Sequence, residues 1–161
     1  MSKKKEEKTN VMRILDQKKI NYKSYCYANT DAISGIDVAH VMNQDPAQVF
    51  KTLVTRGKSG SNYVFVIPCD KELDLKKAAS AANEKSIEMI KSKELLGLTG
   101  YIHGGCSPIG MKKIFPTYLD SSSLNFDTII FSAGKIGYQV EVDPEDIYDK
   151  VIRFAVADLT A

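Results

Sequence analysis

Apolar positions change their period several times along the chain, and each change marks an element. Val11, Met12, Ile14 and Leu15 recur at helical spacing behind Thr9, a natural N-cap, and predict a helix ending near Lys19. Residues 22–27 alternate as a strand does. A second helix opens at Ser34 or Gly35, carries Val38, Ala39, Val41 and Met42, and stops around Asn43. Asp45-Pro46 then supplies a cap and first position for a single helical turn. VFKTLVT at 49–55, rich in β-branched and aromatic residues, predicts a strand. Residues 56–62 form its hairpin loop and YVFVIP at 63–68 its return. Asp74 caps a helix through Leu75, Ala78, Ala79 and Ala82, followed by a short strand at 87–90. A short helix at 92–96 has Gly97 just beyond its end. Strands follow at 115–119 and 128–131, and residues 132–135 turn into another at 138–142. There Tyr138, Val140 and Val142 point inward, Gln139 and Glu141 outward. Asp143-Pro144 opens a last helix to about Val151, and residues 151–156 close as strand or coil. Residues 1–8 form a charged tail, and 9–161 make one domain. Hairpin-length loops outnumber crossovers, so the predicted fold is α+β: a curled, mixed or antiparallel sheet with helices outside.

One position breaks the pattern. Period two puts Lys51 on the same strand face as Val49 and Leu53, with Phe50, Thr52 and Val54 on the other. An ammonium group there must meet an anion or snorkel to water.

Composition narrows the class rather than the function. The chain has 161 residues, 43% of them hydrophobic and 26% charged, as in an ordinary globular protein. No apolar run is long enough for a membrane span, and the N-terminus leads into no apolar signal region. Three widely spaced cysteines, Cys26, Cys69 and Cys106, suit reduced thiols in the cytosol. With two histidines beside them no metal-ligand spacing arises, and nothing calls for a cofactor. A net charge of +2 does not by itself announce nucleic-acid binding.

The densest candidate chemistry lies at 99–113, TGYIHGGCSPIGMKK, with four glycines. Gly104-Gly105 can take positive φ and let the backbone approach a ligand, and successive N–H groups in such a turn can hold an anion or oxyanion. Ser107-Pro108 favours a fixed turn, or an N-cap followed by Pro at the first helical position. Neither a phosphate-loop nor a dinucleotide spacing fits.

Three segments in order, VFKTL at 49–53, the glycine loop and Ser132-Ala133-Gly134-Lys135, with ELDLKK at 72–77 between them, resemble the YbaK/EbsC family of aminoacyl-tRNA deacylases. The likeness covers about residues 10–157. It implies a barrel-like mixed sheet flanked by helices. It also implies trans-editing, the cleavage of the ester of mischarged tRNA, most typically Cys-tRNA(Pro), in the cytoplasm. Its partners would be the aminoacylated tRNA 3′ end and prolyl-tRNA synthetase in a ternary complex. The resemblance makes Lys51, Gly104 and Gly105 catalytic. Tyr25 (with Tyr22 and Tyr27 as rivals), Thr52, His103, Cys106, Ser107, Ser132, Ala133 and Gly134 would contact substrate. The chain departs from the family at Ile136, where relatives usually carry Arg, and at Cys106, where they usually carry an aliphatic residue.

An aminoacyl ester is an activated carbonyl, so positioning and oxyanion stabilisation matter more than a strong nucleophile. No Ser-His-Asp pattern appears. The family's chemistry draws the nucleophile from the substrate, whose cysteinyl thiol leaves as a thiolactone. Cys106 near His103 invites a thiol-nucleophile reading, which sequence proximity alone does not support. Two other classes fit the same residues: a non-catalytic module binding a tRNA end or a synthetase, and a small-molecule hydrolase. An editing deacylase for alanine is a further variant.

Overall fold

The computed structural model describes residues 8–161. The expected tail lies outside these apart from Lys8, which forms an exposed ion pair with Asp16.

Helix α1 (Asn10–Gln17) starts where Thr9 Oγ1 accepts the Met12 N–H and buries Val11, Met12 and Leu15. Lys19, at φ 57°, ends it two residues before the strand begins. Strand β1 (Tyr22–Cys26) leads to α2 (Gly35–Val41), capped by Ser34. The turn at Asp45-Pro46 closes with Gln48 N–H donating to Asp45 O at 2.9 Å. Strands β2 (Phe50–Gly57) and β3 (Asn62–Pro68) form the central hairpin. Asp74 takes the Lys76 and Lys77 N–H groups to open α3 (Leu75–Ala82), whose Ala78, Ala79 and Ala82 pack on Phe65 and Ile67. After β4 (Ile87–Met89), α4 spans Ser92–Thr99.

Helix α4 is longer than expected. Gly97 sits inside it, and Gly100, at φ 83°, ends it instead. Thr99 Oγ1 donates to Leu95 O at 2.8 Å and accepts the Tyr101 N–H at 3.0 Å, which closes the last turn.

Strand β5 (Thr117–Asp120) runs into a 3-10 turn at Ser121–Asn125 that the apolar pattern does not announce. Buried Asp120 organises it, accepting from Ser122 N–H and, through its other oxygen, from Leu159 N–H. Then come β6 (Ile129–Ser132), β7 (Tyr138–Val142), α5 (Pro144–Lys150, capped by Asp143) and β8 (Ala155–Ala157).

The strands form two sheets, β1-β7-β6 and β4-β2-β3-β5-β8. The first is antiparallel; the second is mixed, with β3·β5 and β5·β8 parallel. They meet at one parallel bridge, Val49 with Ile130, where the Ile130 N–H donates to Gln48 O at 3.0 Å. The expected curled sheet is therefore two sheets joined along a seam rather than a closed barrel.

The main core fills the space between them, with Phe50, Val54, Val64, Val66 and Leu119 from one sheet and Ile129, Phe131, Val140 and Val142 from the other. At about 25 cal/mol per Å² of apolar surface buried, this contact is the chief force holding the sheets together. One inward–outward assignment fails. Gln139, expected outside, is buried, and Gln44, in the loop after α2, meets it in a reciprocal amide pair at 2.9 and 3.2 Å.

Candidate functional site at the seam between the sheets

The seam decides which residues share a face. Val49 and Ile130 are bridged in parallel, so two residues further on Lys51 and Ser132 leave it on the same side. Ser132 is opposite Gln139, and Gln139 opposite Tyr25, so the row continues across the smaller sheet. Its apolar end is a small cluster of Ala39, Val49, Cys69 and Ile130, with Tyr25 half-buried against it.

Lys51 is half-buried and has no hydrogen bond or ion pair among the described residues. Its charge reaches the buried Cys69 thiol. Burial pushes that thiol to about 11, and the nearby ammonium pulls against the rise.

The tip of the glycine loop joins the site through the turn after β6. A Cβ on Gly104 would come within 2.8 Å of Ile33 Cγ2, and Ile136 lies next, at 3.6 Å. A Cβ on Gly105 would stand 3.1 Å from the Ile136 backbone nitrogen. Gly104 has φ 87° and Gly105 does not have positive φ, so strain excludes a side chain at the first glycine and crowding at the second. The two were expected to share the conformation. The Gly105 N–H is moreover spent inside the loop, donating to Ile102 O at 2.9 Å. The N–H groups of Gly104 and Cys106 flank it and have no protein partner among the described residues. These two, rather than Gly105, are the donors left for an oxyanion.

Other candidates take other places. Thr52 points to the opposite face from Lys51, its Oγ1 buried and unpartnered among the described residues. Ala133 is wholly buried in the main core, so only its backbone could touch a ligand. Ser107 is also wholly buried, and its Oγ accepts the Ile109 N–H, shaping the loop from within. His103 is exposed at the loop's turn. Gly134 N–H donates to Ser132 Oγ at 3.1 Å, which ties that hydroxyl to its own turn. Cys106 packs on the main core, and burial pushes its thiol to about 12. A thiol held neutral in that way is a poor nucleophile.

Of the three tyrosines, Tyr25 donates to Glu141 at 2.6 Å. Tyr27 instead meets the turn after β6, its N–H donating to Gly137 O at 2.7 Å. Ile33, Gln44 and Glu141 were not singled out from the sequence, where no motif marks them. They become visible only when α2 and the smaller sheet are laid together. Among the described residues no three His, Cys, Asp or Glu side chains cluster as metal ligands would.

Comparison with known proteins points the same way. The profile of the aminoacyl-tRNA editing domain matches residues 30–150. A protein of Enterococcus faecalis (strain ATCC 700802 / V583), provisionally named Cys-tRNA(Pro)/Cys-tRNA(Cys) deacylase EbsC, is 50% identical over 149 residues, 91% of each chain. A solved structure described provisionally as a trans-editing enzyme for prolyl tRNA synthetase superposes with TM-score 0.80 at 24% identity, over 94% of both chains. A hypothetical protein, APE2540, does so with TM-score 0.82 at 19% identity, over 94% of this chain and 99% of that one. Those two carry the fold, while the profile and the Enterococcus relative carry the family: the chain belongs to the aminoacyl-tRNA editing domain family.

Proposed function

We propose that this protein is a trans-editing aminoacyl-tRNA deacylase that clears cysteine from mischarged proline tRNA. The observation that carries the reading is the half-buried, unpaired Lys51, set on the seam face with Ser132. An RNA 3′ end supplies the partner such a group needs, a phosphate anion or a hydrogen-bonding ribose hydroxyl. Half identity to the Enterococcus relative, over nine-tenths of each chain, supports the substrate.

In this reading the protein holds the ester and the substrate reacts. The cysteinyl sulfur bonds to its own carbonyl carbon, the bond to the ribose oxygen breaks, and the thiol proton ends on that oxygen. A thiolactone and free tRNA leave. The Gly104 and Cys106 N–H groups face the charge that builds on the carbonyl oxygen, and Lys51 fixes the terminal nucleotide.

A deacylation panel tests this: Cys-, Ala-, Ser- and Pro-charged proline tRNA, with Cys-charged cysteine tRNA, each with and without prolyl-tRNA synthetase. The expected result is fast loss of cysteine, slow loss of serine and a gain in tRNA selectivity when synthetase is present. Tight binding of the charged tRNA without turnover would instead make the chain a binding module. Preference for alanine would move the chemistry to ribose-hydroxyl assistance.

A further inference from the structure

A cavity of about 740 Å³ lies away from the seam. It is an open groove between the 3-10 turn with its following residues and α5 with β8. Leu119, Leu124, Phe126, Phe154 and Val156 supply its apolar surface, and Asp127, Glu145 and Asp149 its charges. No lysine or arginine is among the lining residues. Leu124 is 76% exposed and Val156 44%, and here the two stand together in one groove. They would gain from being covered.

The carboxylates differ in what they do. Asp143 is engaged, its Oδ1 accepting the Glu145 N–H that starts α5. Asp127, Glu145 and Asp149 are exposed and form no ion pair among the described residues. Asp127 stands on one wall and the other two on the opposite wall, so an occupant is met by negative charge from both sides. The Tyr148 ring at the lip already has a guanidinium, that of Arg153, 5.2 Å from its centroid.

We propose that this groove is the docking site for a segment of a partner protein in which an apolar side chain is bracketed by lysine or arginine. Polyanionic RNA is repelled by three unpaired carboxylates, so the groove is not part of the tRNA path. The exposed leucine and valine ask for an apolar insert, which the rim then orients through its charge. The proposal stands apart from the deacylase reading, since none of these residues belongs to the seam site.

The test is a display selection of random dodecapeptides against the whole protein, followed by affinity measurement of the enriched peptides. Each is measured on the wild type, on the triple variant Asp127→Asn/Glu145→Gln/Asp149→Asn and on Leu124→Ser, with circular dichroism confirming that both variants fold. Enriched peptides should carry Leu, Ile or Phe flanked by Lys or Arg, and the triple variant should weaken them by about tenfold or more at physiological salt. Leu124→Ser should weaken them independently, while deacylation of free Cys-charged tRNA by both variants stays at the wild-type rate. Failure to enrich any such peptide, or equal affinity for the triple variant, overturns the proposal. So does self-association of the protein that the same substitutions abolish, because the occupant would then be a second copy of this chain.

Discussion

Lys51 is the residue on which most depends, because an ammonium group that merely snorkelled to water could be lost without consequence. Lys51→Ala should melt like the wild type in circular dichroism yet lose about 10²-fold in deacylation rate, the scale of one positioned electrostatic contact. Lys51→Arg should recover little, since a planar fork does not replace a compact ammonium. A near wild-type rate for Lys51→Ala would return the side chain to the role of a solvated surface group. The glycines separate two kinds of intolerance. Gly104→Ala must hold φ 87° with a Cβ against Ile33, so it should lower stability by about 1–2 kcal/mol in urea titration. Gly105→Val has no such φ cost. It should push on the Ile136 backbone instead and abolish turnover in the same assay, with a smaller shift in melting. Cys106 gives a pH signature. Its thiol is raised from an ordinary value of 9.0 to about 12, so the fold prefers the neutral form. The stability this contributes is whole below about pH 9 and is lost as pH climbs toward 12. Urea midpoints of the wild type should therefore fall more steeply above pH 9 than those of Cys106→Ala. The same variant should keep turnover within about tenfold, because in the proposed mechanism the reacting thiol is the substrate's. A covalent adduct trapped on Cys106 during turnover would overturn that assignment.

Helix α3 shows how an element is legible when its signals are local. Asp74, the alanine face and the turn at Asn83 lie within ten positions, and each acts through backbone geometry that neighbours in sequence can satisfy. Asp74→Ala leaves the Lys76 and Lys77 N–H groups without their acceptor and should cost about 1 kcal/mol in urea unfolding, with deacylation unchanged. Where signals compete, the pattern misleads. Gly97 looks like a helix stop, but Gly100 is the residue that adopts φ 83°, and the Thr99 hydroxyl carries the helix to it. Gln139 looks solvent-facing from its alternation, yet it is buried where Gln44, in the loop after α2, meets it. The candidate site divides along the same line. Lys51 was legible because it violated its own strand's pattern, and the glycine loop because of its composition. The turning away of Thr52 follows from period two, whereas the burial of Ser107 and the loss of the Gly105 N–H to Ile102 depend on how the loop closes, which spacing does not encode.

At the scale of the molecule, the two sheets share a core and, among the described residues, one bridge, Val49 with Ile130. Beside that bridge the Gln48 side-chain amide donates to Thr128 O and Oγ1, so the backbone link between the sheets is narrow and is backed by one side chain and the shared core. The proposed substrate site is laid across this narrow link, Lys51 on one sheet and Ser132 on the other, so a hinge motion there would open and close it. Hydrogen exchange makes this visible. The Ile130 amide, whose partner is Gln48 O, should exchange faster than that of Val140 in the middle of its own sheet. Adding a minihelix ending in a non-hydrolysable cysteinyl-adenosine should slow Ile130 while leaving Val140 unaltered. Equal slowing at both amides would mean that the sheets move as one block. A molecule built in this way has a narrow backbone link directly beside its proposed ligand site. Binding there should then work as a clasp, with occupancy of the site and the angle between the sheets two readings of one equilibrium.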